Sequence, residues 1–268
     1  SKKIRKNGYK GKIIQVVAPT VWAWREYRAE KFSKVYDLIL TLFSFENKFF
    51  EKFHLKTVTI GHPIYYIKNK NYNINKRNMI AFLPGSRMGE VQSLFNYFQL
   101  AYEELLKSQK KIKIFIPTLP HLEKYIKYKV KDWKIETLVL TEKKEVEKCF
   151  SKTKIALVCS GTATLEIAKR GIPQLIIYKL NIITEFILNF FVKIKFANIL
   201  NIIENRIIIP EIVNSNLSKK NFLKLFYELL HDSKSNRKQL SDVKRILRKI
   251  EQKKPPFSIA FNEIKKYL

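Results

Sequence analysis

Cysteine is nearly absent: Cys149 and Cys159 are the only two, with no CxxC spacing and no Cys/His cluster. A disulfide framework and a structural zinc site are thereby disfavoured. The four histidines, His54, His62, His121 and His231, are scattered at spacings that match no metal-ligand pattern. Apolar runs long enough to span a bilayer are missing. The opening stretch SKKIRKNGYKGK is basic, but the apolar core of a cleavable signal peptide does not follow it. The sequence reads as cytoplasmic, with a membrane surface left open as a partner. Neither GxGxxG nor a Walker A lysine occurs, so a dinucleotide or P-loop NTPase site is not supported. Acidic residues are scarce: 23 Asp and Glu stand against 52 Lys and Arg, a formal charge of +29. Such an excess attracts nucleic acid, phospholipid or a phosphorylated substrate. A codon bias toward Lys, Asn, Ile, Phe and Tyr gives the same charge as drift, and both readings stand. The lysines are spread over nearly every helix, and no helix-turn-helix, zinc or RNA-binding motif is visible. Nucleic acid is therefore not the expected partner.

What is present is a core. Hydrophobic residues make up 46% of the chain and aromatics 13%, which excludes a mostly disordered protein. A length of 268 residues suits one large domain or two small ones. Short β-branched runs alternate with longer helical patterns. Strands are expected at 12–18, 38–42, 57–60, 79–83, 113–116, 137–140, 155–159 and 174–178. Helices are expected at 25–33, 46–53, 91–109, 122–130, 144–150, 163–169, 182–194, 219–230, 239–250 and 258–267. Strands that are apolar throughout and separated by helices imply parallel sheets covered on both faces, a doubly wound α/β architecture. The polar, Asn-rich stretch IYYIKNKNYNINKRN (64–78) reads as a linker. Residues 1–66 then form a small first domain, 67–236 a second, and 237–268 helices that cross back to the first. The run 12–18 looks like an interior strand with almost nothing ahead of it, so the first domain is expected to be N-terminally incomplete.

Glycine is rare as well, seven in all, yet two fall in FLPGSRMGEV (82–91), where a strand turns into a helix. One reading is an ordinary βα turn capped by Ser86. The other is an anion seat: Gly85 and Ser86 offer backbone N–H groups at a helix N-terminus, and Arg87 adds a guanidinium. A second such turn is VCSGTATLEIAKRGIPQ (158–174). There Ser160, Gly161, Thr162 and Thr164 supply close backbone approach and hydroxyls, with Glu166 one turn further in. In a parallel sheet both turns open at the carboxyl edge of the strands, where such folds bind ligands. In FANILNIIENRIIIPEIVNSN (196–216), Asn198, Asn201 and Glu211 are polar groups in an apolar setting. Pro210-Glu211 reads as a helix start, with Glu211 either favoured by the dipole or bonded to a sugar hydroxyl. The run PTVWAWREYR (19–28) either packs Trp22 and Trp24 against a neighbouring domain or walls a sugar or acyl chain, with Arg25 and Arg28 for phosphate. NIITEFILNFFVKI (181–194) carries a broad apolar face suited to a core or to an anionic membrane interface.

Taken together, VVAPTVWAWREYR, IGHP (60–63), LPGSRMGEV (83–91), CSGTATLE (159–166) and ANIL…PEIV (197–213) resemble, in order, the lipid-A-disaccharide synthase family. The resemblance reaches to about residue 214; the later helices match in pattern only. It implies two Rossmann-like domains of the GT-B type, the first one partial here. It also implies an inverting glycosyltransferase with no metal and no cofactor. The implied donor is UDP-2,3-diacylglucosamine and the acceptor 2,3-diacylglucosamine 1-phosphate (lipid X). The implied products are lipid A disaccharide 1-phosphate and UDP, formed at the cytoplasmic face of the inner membrane of a Gram-negative bacterium. Gly85, Ser86, Ser160, Gly161, Thr162 and Thr164 would seat the diphosphate. Arg87 is the implied catalytic residue, and Glu166, Asn198 and Glu211 are implied nucleotide or sugar contacts. His62 would be structural. The resemblance implies that the general base is an Asp expected in a segment ahead of this sequence, and Glu26, Glu30, Asp37, Glu46 and Glu51 mostly read as solvated charge. At PEIV the family more often continues with Leu and Gln, where this chain has Val213 and Asn214. An inactive or split module that binds membrane or nucleotide, or another UDP-sugar enzyme of the same fold, are the rival readings.

Overall fold

The computed structural model describes residues 1–24, 26–66, 77–108, 111–179 and 196–268. The helix expected at 182–194 lies outside the described residues, as do Arg25 and most of the 64–78 linker. The described residues fall into two compact units, one holding those of 1–66 and 247–268, the other those between 77 and 246.

The first unit is built on a parallel three-stranded sheet, ordered β1 (Ile14–Val16), β2 (Leu38–Thr41), β3 (Thr57–Thr59). All four side chains of β2 are buried, since strand alternation turns them to two covered faces. Ile39 packs with Ala29, Phe50 and Leu55, while Leu38 and Leu40 pack with Ile60. The second face is closed by Ile259, Ala260 and Ile264 of the C-terminal helix Pro256–Lys265. Of the strand expected at 12–18, β1 takes three residues; among the described residues it is an outer strand of this sheet and leaves Val16 and Val17 about half exposed.

The expectation for Glu46 is corrected. It was read as solvated charge, yet it is 4% exposed. The chain bends through a 3₁₀ turn at Ser44–Glu46, which folds the carboxylate back onto its own backbone. Its oxygens accept from the N–H groups of Leu42 (3.0 Å) and Phe43 (2.9 Å) and from the Trp22 indole (3.2 Å). Trp22 also meets Phe45 edge-on at 5.3 Å, so it packs inside its own unit.

The second unit holds β4 (Met79–Leu83), β5 (Lys113–Pro117), β6 (Thr137–Leu140), β7 (Thr153–Cys159), β8 (Gln174–Tyr178) and β9 (Glu211–Val213). They form one parallel sheet in the order β6-β5-β4-β7-β8-β9. Ile80 and Phe82 face one core with Ile114, Leu157 and Ile177 under the helices Met88–Leu106 and Lys219–His231. Met79 and Ala81 face the other with Phe115, Ala156, Val158 and Ile167. Two covered faces explain why these strands read as unbroken apolar runs. Each large side chain buried this way contributes about 1.5–3 kcal/mol. The helix expected to open at Pro210-Glu211 is also corrected: Glu211–Val213 is strand β9, paired with Ile176–Tyr178. A β-branched pair beside the exposed edge of β8 gains more from that ladder than from a helix start.

Candidate functional site

The strand order reverses between β4 and β7, which lie side by side with Leu83 opposite Val158. Chains leaving a parallel sheet in opposite directions from adjacent strands open a crevice at their carboxyl ends, and such switch points bind ligands. Both glycine turns found in the sequence leave from this pair. Gly85 takes φ +117°, a conformation that L side chains rarely adopt. A Cβ there would also stand 2.8 Å from a Glu90 carboxylate oxygen and 3.5 Å from Cys159 Sγ, so the two turns pack closely at their roots. Gly161 takes φ +154° and faces open space.

The two turns are dressed differently. In the first, Glu90 reaches back from the opening turn of helix Met88–Leu106. Its Oε2 accepts from the N–H of Ser86 at 3.1 Å and of Arg87 at 3.3 Å, and its Oε1 from Arg87 Nη1 at 3.0 Å. Ser86 therefore does not cap with its side chain; the cap is Glu90, three residues inside the start. The Arg87 side chain is 81% exposed beyond that contact. In the second turn, helix Thr162–Lys169 begins after Gly161 with no side-chain cap, and Thr162 is exposed. N–H groups at such a start carry partial positive charge toward whatever lies above them.

Beneath the second turn runs a continuous polar network. Ser160 Oγ donates to the Ala197 carbonyl at 3.3 Å. Thr164, buried, donates to the Gly161 carbonyl at 2.8 Å and accepts from Asn198 Nδ2 at 2.9 Å. Asn198 caps helix Ile199–Glu204, its Oδ1 accepting from the N–H of Leu200. Glu211 receives the N–H groups of Ala197 (2.9 Å) and Asn198 (2.8 Å). Burial pushes the Glu211 carboxyl above its ordinary range, against the pull of those donors. Asn201, fully buried, holds the following loop by accepting from Ile208 and Ile209. Ser160, Thr164, Asn198 and Glu211 are thus joined in one network, with Gly161 and Thr162 above it and Gly85–Arg87 beside it. Glu166 is not part of it: its carboxylate lies 3.9 Å from Arg170, which also pairs with Glu147.

Sequence reasoning gave no role to Glu90, Cys159 or Tyr178, which gather at the same sheet edge. Burial pushes the Cys159 thiol up to about 12, with the Glu90 charge adding to it and Arg87 opposing. The Tyr178 hydroxyl is raised by burial as well. The signal for Glu90 was local: a glutamate three residues after an extended helix-capping position is a known N-terminal signature.

In the first unit, His62 accepts the Ile64 N–H on Nδ1 at 3.0 Å and stacks on Phe43 at 5.7 Å, and burial lowers its pKa. Its five carboxylates between residues 26 and 51 are each engaged. Asp37 takes Arg5 (2.6 Å), Lys12 and the Ile13 N–H; Glu30 takes Lys34; Glu26 takes Lys52; Glu51 takes the Thr57 hydroxyl; Glu46 is held as above. Among the described residues no group of three His, Cys, Asp or Glu is placed to hold a metal ion. No helix among them is long and apolar enough to cross a membrane.

The sheet order and paired turns define a GT-B α/β fold, and solved structures share it. The chain superposes on TarM with a TM-score of 0.52 and 14% identity, covering 90% of this chain and 45% of that one. For Acinetobacter baumannii MurG the TM-score is 0.50 with 16% identity, covering 92% and 68%. For the S. aureus MnaA-UDP co-structure it is 0.53 with 13% identity, covering 92% and 76%. At such identities the likeness speaks for the fold alone.

Sequence relatives go further. The family model described as lipid-A-disaccharide synthetase matches residues 1–259, and the chain belongs to that family. It is 35% identical over 260 residues to the lipid-A-disaccharide synthase of Rickettsia conorii, covering 93% of this chain and 58% of that protein. It is 35% identical over 277 residues to the synthase of Rickettsia felis, covering 99% and 70%. The chain thus spans between about three fifths and seven tenths of the length of these relatives.

Proposed function

We propose that this chain carries the donor-binding half of a lipid A glycosyltransferase. It would transfer 2,3-diacylglucosamine from UDP to the 6-hydroxyl of 2,3-diacylglucosamine 1-phosphate. In that reaction the bond from sugar C1 to the UDP oxygen breaks and a bond from C1 to the acceptor oxygen forms with inversion. The acceptor proton leaves to a general base, and UDP departs with both electrons of the broken bond. The observation that carries the reading is the pair of glycine turns on adjacent strands at the switch point, one of them bearing Arg87.

The diphosphate gains negative charge as it leaves. The N–H groups that open helix Thr162–Lys169 and the Arg87 guanidinium are fixed dipole and charge suited to meet it, which is how such a transition state is stabilised. Arg87 is the proposed catalytic residue. Gly85, Ser86, Ser160, Gly161 and Thr162 line the proposed diphosphate seat, with Thr164, Asn198 and Glu211 holding its shape from below. Glu166 is proposed as a nucleotide or sugar contact from the second turn of that helix, once turned from Arg170. Both sugars carry acyl chains, so the reaction belongs at the cytoplasmic face of the inner membrane, and the surplus of lysine and arginine suits anionic lipid.

The test is direct. The chain is incubated with UDP-2,3-diacylglucosamine and 2,3-diacylglucosamine 1-phosphate in detergent micelles, and products are read by mass spectrometry. Formation of disaccharide 1-phosphate with equimolar UDP supports the proposal. UDP binding without disaccharide would reduce the chain to a nucleotide-binding module, and the absence of both UDP binding and disaccharide would refute the reading.

A further inference from the structure

The donors of the first turn already have an occupant. Glu90 takes the Ser86 and Arg87 N–H groups with one carboxylate oxygen and the Arg87 guanidinium with the other, at 3.1, 3.3 and 3.0 Å. Its side chain is only 21% exposed, and Gly85 leaves room for it by having no Cβ. Those are the groups that a phosphate entering the turn needs. A backbone N–H that points at one anion cannot point at a second, and two anions within a few ångströms repel strongly where water is scarce. The second turn differs, since Gly161 brings no side chain to the start of its helix.

We propose that Glu90 is a competitor built into the donor site: its carboxylate holds the Gly85–Arg87 turn and must swing out for the donor's phosphate to enter. This rests on the reading that the turn seats a nucleoside diphosphate. Glu90 then sets donor affinity and favours ligands able to outbid a carboxylate for three donors at once. It also keeps Arg87 aligned and the helix start capped until the exchange. Because the exchange involves phosphate alone, the nucleoside contributes nothing to it. Glu90 acts here as a positioning residue, through Arg87 and the turn.

The experiment measures binding of UDP and of uridine to the 268-residue chain and to its Glu90→Gln variant by calorimetry. Glutamine keeps the shape and loses the charge, so UDP should bind about tenfold more tightly to the variant while uridine is unchanged. In the wild-type chain, the side-chain carboxyl ¹³C resonance of Glu90 should shift as UDP is added and stay fixed with uridine. That second readout needs no variant to fold. Equal or weaker UDP binding by Glu90→Gln, equal tightening of uridine, or an unmoved Glu90 resonance at saturating UDP would overturn the proposal while leaving the donor reading intact. UDP bound by neither protein would overturn both.

Discussion

Asn198 Nδ2 donates to Thr164 Oγ1 at 2.9 Å, tying the starts of two helices together beneath the second glycine turn. Both residues are almost fully buried, and each spends its remaining polar atoms on backbone: Thr164 on the Gly161 carbonyl, Asn198 on the Leu200 N–H. The geometry of the Ser160–Thr164 turn therefore depends on a cap 34 residues away. Asn198→Ala should cost about 2–3 kcal/mol, combining a lost cap with a buried hydroxyl left short of a donor. Urea denaturation of the variant and the parent chain reads this directly.

Gly85→Ala meets two obstacles, a positive φ and a Cβ 2.8–2.9 Å from Glu90 atoms. Gly161→Ala meets only the first. The expected loss is about 1–3 kcal/mol for Gly161→Ala from backbone strain, with Gly85→Ala at least as large. UDP affinity should fall in both. Thermal melting and UDP titration of the two variants check the order.

Cys159 supplies a pH signature. Its thiol is raised to about 12 by burial, with the Glu90 charge adding to the shift. A raised folded pKa means that its contribution is fully present below the unfolded pKa near 9 and is lost as pH climbs toward 12. The stability difference between the parent chain and Cys159→Ala should therefore shrink by roughly 1 kcal/mol between pH 8 and pH 10. At pH 8 the folded chain should resist thiol-modifying reagents at this position and react once unfolded.

Glu46→Ala would strand two backbone N–H groups and the Trp22 indole around a buried gap. The expected cost is about 3 kcal/mol. Glu46→Gln should lose less, because burial already pushes this carboxyl up toward its neutral form and the amide oxygen still accepts. Denaturation midpoints of the two variants give the comparison.

The two glycine turns were legible because glycine is scarce here and β4 and β7 are unbroken apolar runs. Their adjacency was not, since strand order is a property of the whole sheet. Strand β9 was missed because Ile212 and Val213 continue an apolar stretch whose spacing does not separate strand from helix start. Glu46 and Glu90 were missed for a common reason: a charged residue near a helix start looks solvated until its backbone donors are known. Asn201 was singled out as polar in an apolar setting, and its partners Ile208 and Ile209 explain that placement.

The central claim is that the crevice between β4 and β7 seats a nucleoside diphosphate under Arg87. Calorimetric titration of UDP and uridine into the parent chain and Arg87→Ala tests it most directly. UDP should bind at least about tenfold more tightly than uridine, and Arg87→Ala should remove about tenfold or more of UDP affinity without touching uridine. Equal affinity for UDP and uridine, or an Arg87→Ala variant that binds UDP as the parent does, would contradict it.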